Sequence, residues 1–394
     1  MSRHVVFTAW TGPERLALGK HDGTTATTGE LTVDHATGAR EYADPHRDGA
    51  VSRYERATWT SPEVSTGFPA GDLIVSWNAT TPLGSWLEVE VSAALSDGTR
   101  TPWYVLARWA ESDEDILPTS VTGQDDDLAE VQADVLRVRP PRGVVSYRVR
   151  LHLMRRPGAA SPSVRLVGAM ASESPDGQTV QRSPGGGAEG RLLDVPAYSQ
   201  QLHRGEYPHW DSGGASWCSP TSTTMVLAYW GRLPDPAEYA WVDPRFRDRY
   251  VDHAARHTYD YSYQGAGNWP FNTAYAARYG LTAFVTRLRS LTEAEQFIKA
   301  GIPLVVGVSF TEDELSGAGY GTGGHLLTIV GFTEQGDVVS NDPASHGVPD
   351  NAQVRTTYDR EQFENAWMGM SGGVTYVIHP PEVALPPRPQ EPNW

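Results

Sequence analysis

The feature that most constrains the fold is a strict alternation of apolar and polar residues in the first half of the chain. Leu87, Val89, Val91 and Ala93 alternate with Glu88, Glu90 and Ser92; Val145, Tyr147, Val149, Leu151 and Leu153 alternate with Ser146, Arg148, Arg150 and His152. Successive side chains of a strand point to opposite faces, so each stretch reads as a half-buried strand with one wet face. Segments 73–77, 103–109 and 131–138 read as further strands, separated by turn signals at Asp97-Gly98, Pro140-Pro141 and Arg142-Gly143. With no convincing helix between them, residues 1–170 are expected to form an antiparallel β-sandwich of jelly-roll type. Six tryptophans fall here: Trp10, Trp59, Trp77, Trp86, Trp103 and Trp109. Aromatic side chains in strands are most often core, but rings left exposed would stack on sugars, so carbohydrate contact is an alternative role for this region. The run Asp125-Asp126-Asp127 lacks the ligand spacing of a calcium loop and reads as solvated.

Residues 171–190 are polar and rich in Gly and Pro, which predicts a linker. Beyond it the pattern changes. Residues 192–195 read as a strand, 272–279 and 292–300 as helices with Thr292 a candidate cap, and 302–310, 325–332, 338–341 and 374–378 as strands. Helices followed by strands predict an α+β domain over 191–380. Residues 381–394 are crowded with proline and expected to be extended.

The only cysteine in 394 residues, Cys218, lies in Ser216-Trp217-Cys218-Ser219-Pro220-Thr221-Ser222. A loop containing Gly213 and Gly214 precedes it; apolar residues at 225, 226 and 229 follow at helical spacing, and Gly231 and Pro234 mark a helix stop. Cys218 is therefore expected in a first helical turn, where unpaired N–H groups and the positive end of the macrodipole favour a thiolate. His325 follows Gly323-Gly324 at the start of a buried strand. Asp342 ends the next strand, so a hairpin through Gly336 would bring the two together. Cys218 as nucleophile, His325 as its acid–base partner and Asp342 as orienter make a triad, and Gln200 or Gln201 with the Cys218 N–H would supply oxyanion donors.

The formal charge of −16, with 32 basic against 48 acidic residues, argues against a nucleic-acid partner. No apolar run approaches the roughly 20 residues that span a bilayer, and the amino terminus lacks a secretory core, so no membrane and a cytoplasmic location are expected unless a leader has been removed. No cofactor is expected, and a monomer is. His203, His209, Asp211 and Cys218 cluster in sequence but lack paired zinc-ligand spacing. His253 and His257, four apart, are expected on a solvated helix face.

The order of Gln200, then Trp217-Cys218-Ser219-Pro220-Thr221-Ser222, then Gly323-Gly324-His325, then Asn341-Asp342-Pro343 resembles the C39-like branch of papain-fold cysteine peptidases over roughly residues 192–380. The resemblance implies a papain-like domain with a Cys218, His325 and Asp342 triad. It also favours Gln200 over Gln201 as oxyanion donor, and a peptide or protein as substrate. An amidase or acyltransferase using the same centre, and a non-catalytic binding protein, are the alternatives.

Overall fold

The computed structural model describes residues 3–49 and 51–394. The chain divides into two compact units. His4–Ser174, with Asp260–Gln264 and Trp394, form the first; Pro175–Tyr259 and Gly265–Asn393 belong to the second.

In the first unit, the two alternating stretches become strands Ser85–Leu95 and Val144–Arg155, paired antiparallel along their length in a seven-stranded sheet. A second seven-stranded sheet is built on the antiparallel pair Asp72–Thr80 and Ser163–Ser172. One pair is nested inside the other in sequence, so the chain changes sheet at Pro82-Leu83 and again after Arg155. The facing layers meet through indoles: Trp77 of one sheet and Trp109 of the other are edge-on with centroids 6.1 Å apart, and Trp10 meets Trp59 at 5.8 Å. Trp10, Trp59, Trp77, Trp86 and Trp109 are all buried. Trp103 is half-buried, with the Arg150 guanidinium 3.7 Å from its ring centre. Five of the six tryptophans are thus sandwich core.

Two local expectations change. The polar positions of Ser85–Leu95 are not wet: Glu88 is 1% exposed and held by Arg40 and Arg108. Pairing, not solvent, satisfies its charge. Residues 131–138 are not one strand but the hairpin Ala129–Gln132 and Val135–Val138, turned at Ala133 with φ of 51°. The acidic run is exposed, as expected: Asp126 accepts the Leu128 and Ala129 amides and the Tyr104 hydroxyl, while Asp125 pairs with Arg139.

The second unit contains helices α1 (Cys218–Tyr229), α2 (Tyr250–Thr258), α3 (Trp269–Arg278), α4 (Leu291–Lys299) and α5 (Arg360–Met368). Its strands are β1 (Thr282–Arg287), β2 (Leu304–Phe310), β3 (Thr322–Phe332), β4 (Val338–Asn341), β5 (Arg355–Tyr358) and β6 (Val374–His379). They form one antiparallel sheet in the order β1-β6-β2-β3-β4-β5. Residues 192–195 do not form a strand; Leu192 makes a single bridge to Gly331. At α4, Thr292 is no cap, because its hydroxyl bonds the Pro184 carbonyl. Among the described residues no helix is long and apolar enough to cross a membrane.

The expected linker is instead structured at both ends. Residues 171–172 complete strand Ser163–Ser172. Further on, the Ser183 amide donates to Glu364, and the Gly186 and Ala188 amides donate to Glu295 at 2.7 and 2.9 Å. Arg360, 1% exposed, pairs with Glu295 and donates to the Ser183 and Pro184 carbonyls. Backbone groups make these bonds, so the side chains carry no pattern that distinguishes the segment from a free linker. The proline-rich tail is also pinned: Asn393 is fully buried and donates to the Arg287 carbonyl and to Glu293.

Trp86, wholly buried and in edge contact with Tyr54, tests the sandwich core. Trp86→Ala should cost about 3–5 kcal/mol, read as a lowered urea midpoint for the first unit.

Candidate active site

Cys218 is the first residue of α1, with Trp217 as N-cap in a non-helical conformation. The approach is sharply turned. Tyr207, Asp211, Ser212 and Gly213 all have positive φ, and a Cβ on Gly214 would lie 2.4 Å from the Gln200 carbonyl oxygen. Only glycine lets these two loops come so close. Trp217 is fully buried and its indole N–H donates to the Trp210 carbonyl at 2.7 Å, which fixes the residue before the sulfur.

Helix α1 is buried on every side, which is why its sequence mixes hydroxyls with Met225, Val226 and Leu227. Ser219 bonds the Tyr376 hydroxyl at 2.9 Å, Thr224 the Pro220 carbonyl at 2.7 Å, and Ser222 the Leu326 carbonyl at 3.1 Å. The last bond ties the helix to β3 one residue beyond His325.

His325 lies on β3 opposite Val308, behind Gly323 and Gly324, which are exposed and face open space. Its Nε2 is 2.8 Å from Asp342 Oδ1. The Cys218 side chain, half-buried at the start of α1, lies near enough to the imidazole for charge on its sulfur to favour the protonated ring. With Nε2 taken by the carboxylate, Nδ1 is the nitrogen left for sulfur. The structure therefore brings together Cys218, His325 and Asp342 from helix α1, strand β3 and the end of β4.

Asp342 is fully buried, and four donors satisfy it: His325, the Ala344 amide at 2.9 Å, and the Tyr320 and Tyr358 hydroxyls at 2.8 and 2.6 Å. Burial opposes its charge, but His325 and the two tyrosines hold its carboxyl below the usual carboxylate range. Burial likewise opposes charging His325, yet the Asp342 carboxylate and the Cys218 sulfur outweigh it and push the imidazole up to about 10. The ring is thus an imidazolium at neutral pH. Tyr320 and Tyr358 escape a reading of the sequence alone, since neither sits at a recognisable spacing from His325 or Asp342.

Gln200 opens the short turn Gln200–His203 and is buried. Its backbone amide donates to the Pro343 carbonyl at 3.0 Å, and its side-chain Nε2 donates to the Ala215 carbonyl at 2.8 Å, three residues before Cys218. Gln201 is also buried, and its Oε1 has no partner. Among the described residues no hydrogen bond joins Gln201 to the 214–216 turn, whereas Nε2 of Gln200 donates to the Ala215 carbonyl there.

The sequence-adjacent zinc set does not assemble among the described residues. Asp211 accepts the Ala266 amide, while His203 turns to Glu206 and Asp252. His253 and His257 do not form a solvated face: His253 is 1% exposed, bonds the Tyr275 hydroxyl and packs on His257 at 4.2 Å. Burial drives its imidazole down to about 2, so the buried ring is neutral.

Residues 6–172 match the peptidase C39 N-terminal domain, and residues 192–374 match the Peptidase_C39 like family. No curated protein matches the sequence. Among solved structures, a protein assigned as a C39-like peptidase from Bacillus anthracis is 21% identical, covering 48% of this chain and 98% of its own, with a TM-score of 0.31. A glycosylation-associated Gap123 complex from Streptococcus agalactiae is 10% identical over 43% of this chain and 44% of its own, with a TM-score of 0.20. A LamA variant from Z. galactanivorans, in complex with laminaritriose and laminaritetraose, is 10% identical over 43% and 92%, with a TM-score of 0.19.

Two outcomes follow from the geometry. Tyr358→Phe removes a donor from a buried charge and should cost about 1.5–3 kcal/mol in urea unfolding. Because the folded imidazole lies above its ordinary 6.5, its ion pair stabilises fully below 6.5 and is lost as pH rises through about 10. Unfolding free energy should therefore fall more steeply from pH 7 to 10 in the wild type than in His325→Gln.

Proposed function

We propose that this chain, which belongs to the C39-like peptidase family, cleaves peptide bonds by thiol catalysis on a papain-like second unit. The observation that carries the reading is an imidazole bonded to a fully buried, fully satisfied Asp342 and raised further by the neighbouring Cys218 sulfur.

The chemistry divides among the residues. Cys218 sulfur attacks the carbonyl carbon, a C–S bond forms, and negative charge develops on the carbonyl oxygen. The Cys218 amide, unpaired at the helix start, and the second N–H of Gln200 Nε2 are the donors for that oxygen. The His325 imidazolium gives its proton to the leaving nitrogen as the C–N bond breaks. Neutral His325 then takes a proton from water, which attacks the thioester and returns the sulfur as thiolate. Asp342 keeps the ring in the orientation that serves both steps. An amidase or acyltransferase would share the acyl-enzyme and differ only in what resolves it.

Profiling with a broad peptide library tests the reading. The wild type should cleave a subset of peptides and Cys218→Ala none; transfer of an added amine in place of cleavage would reassign the centre to acyl transfer. Gln200→Ala should lower kcat about 10²–10³-fold with KM little changed. As the imidazolium loses its proton, kcat/KM should decline as pH rises through about 10. An unchanged rate in Gln200→Ala would remove that residue from the oxyanion site.

A further inference from the structure

Two groups of buried His, Asp and Glu side chains lie outside the triad. The first, Glu88, Glu90 and His152, is neutralised by Arg40, Arg108 and Arg150. The second, His203, Glu206 and Asp252, has no such cations: among the described residues no Arg or Lys forms an ion pair with either carboxylate.

The geometry of this second group is that of a coordination site. His203 Nδ1 is 2.8 Å from Glu206 Oε2 and 3.4 Å from Asp252 Oδ2. Donors about 2.0–2.1 Å from a tetrahedral ion stand roughly 3.3 Å apart. Asp252 has no exposed surface, and neither of its oxygens has a hydrogen-bond partner; His203 is equally buried, and its Nε2 has none. The ring's polar anchoring therefore depends wholly on what sits at Nδ1. A buried carboxylate that accepts no hydrogen bond, with only the His203 ring 3.4 Å away to meet its charge, is costly to hold in the interior.

We propose that His203, Glu206 and Asp252 hold a first-row divalent cation of the zinc class. One nitrogen and two carboxylate oxygens suit that ion and leave a fourth position for water. The ion is structural. It joins the turn Gln200–His203 to helix α2, and the His203 ring packs against Trp217, the residue before the nucleophile, with centroids 5.9 Å apart. The site does not depend on the peptidase reading.

The test uses the full chain carrying Cys218→Ala, which removes the thiol as a competing ligand, after chelator treatment and dialysis. Zinc alone is titrated by calorimetry, and thermal unfolding is followed with and without it. One equivalent should bind and the midpoint should rise by several degrees. Asp252→Asn and, separately, the less buried Glu206→Gln should each weaken zinc binding more than about tenfold and abolish the shift. If zinc leaves the midpoint unchanged, or shifts it equally in both variants, a shared proton rather than a metal balances the cluster and the proposal is overturned.

Discussion

A carboxylate with no exposed surface has to be met by donors on every side, and in this protein Asp342 imposes that demand. Its donors come from four places in the chain: His325 on β3, Tyr320 just before it, Tyr358 on β5 and the amide of Ala344. They converge only if β3, β4 and β5 are neighbours in that order, which is the order of the sheet. The neighbouring residue extends the constraint. Asn341 donates to the Val195 and Pro196 carbonyls, holding the segment that leads to Gln200. One buried charge thus fixes the imidazole and helps to place the approach to the glutamine.

The other half of the site depends on a helix that has no outer face. An amphipathic surface helix can shift against its neighbours, whereas α1 is enclosed and its hydroxyls are committed to the Tyr376 hydroxyl and the Leu326 carbonyl. Sliding the helix would leave those groups unpaired, at the cost of buried unsatisfied polar atoms. The Cys218 sulfur is accordingly held on a rigid support.

Much of this was legible in the residues themselves. Period-two alternation located both long strands of the sandwich, and the glycines, apolar spacing and stop signals put Cys218 at the start of α1. The hairpin through Gly336 was legible because a short connection leaves few ways to pair β3 with β4. What stayed hidden was satisfied by distant partners. Glu88 alternates as if wet, but Arg40 and Arg108 cover it; residues 183–188 read as a linker because their amides, which carry no sequence signal, do the binding. Tyr320, Tyr358 and the pairing of His203 with Asp252 were invisible for the same reason: long-range contacts leave no local period.

The sheet order carries a consequence for synthesis. Strand β6, the last strand of this sheet in chain order, inserts between β1 and β2 rather than adding to an edge. A growing chain that already displays Cys218 and His325 still lacks a central strand of the sheet on which the imidazole is mounted, along with the Tyr376 anchor of Ser219. Sulfur and ring are therefore translated before the sheet that mounts the ring is complete.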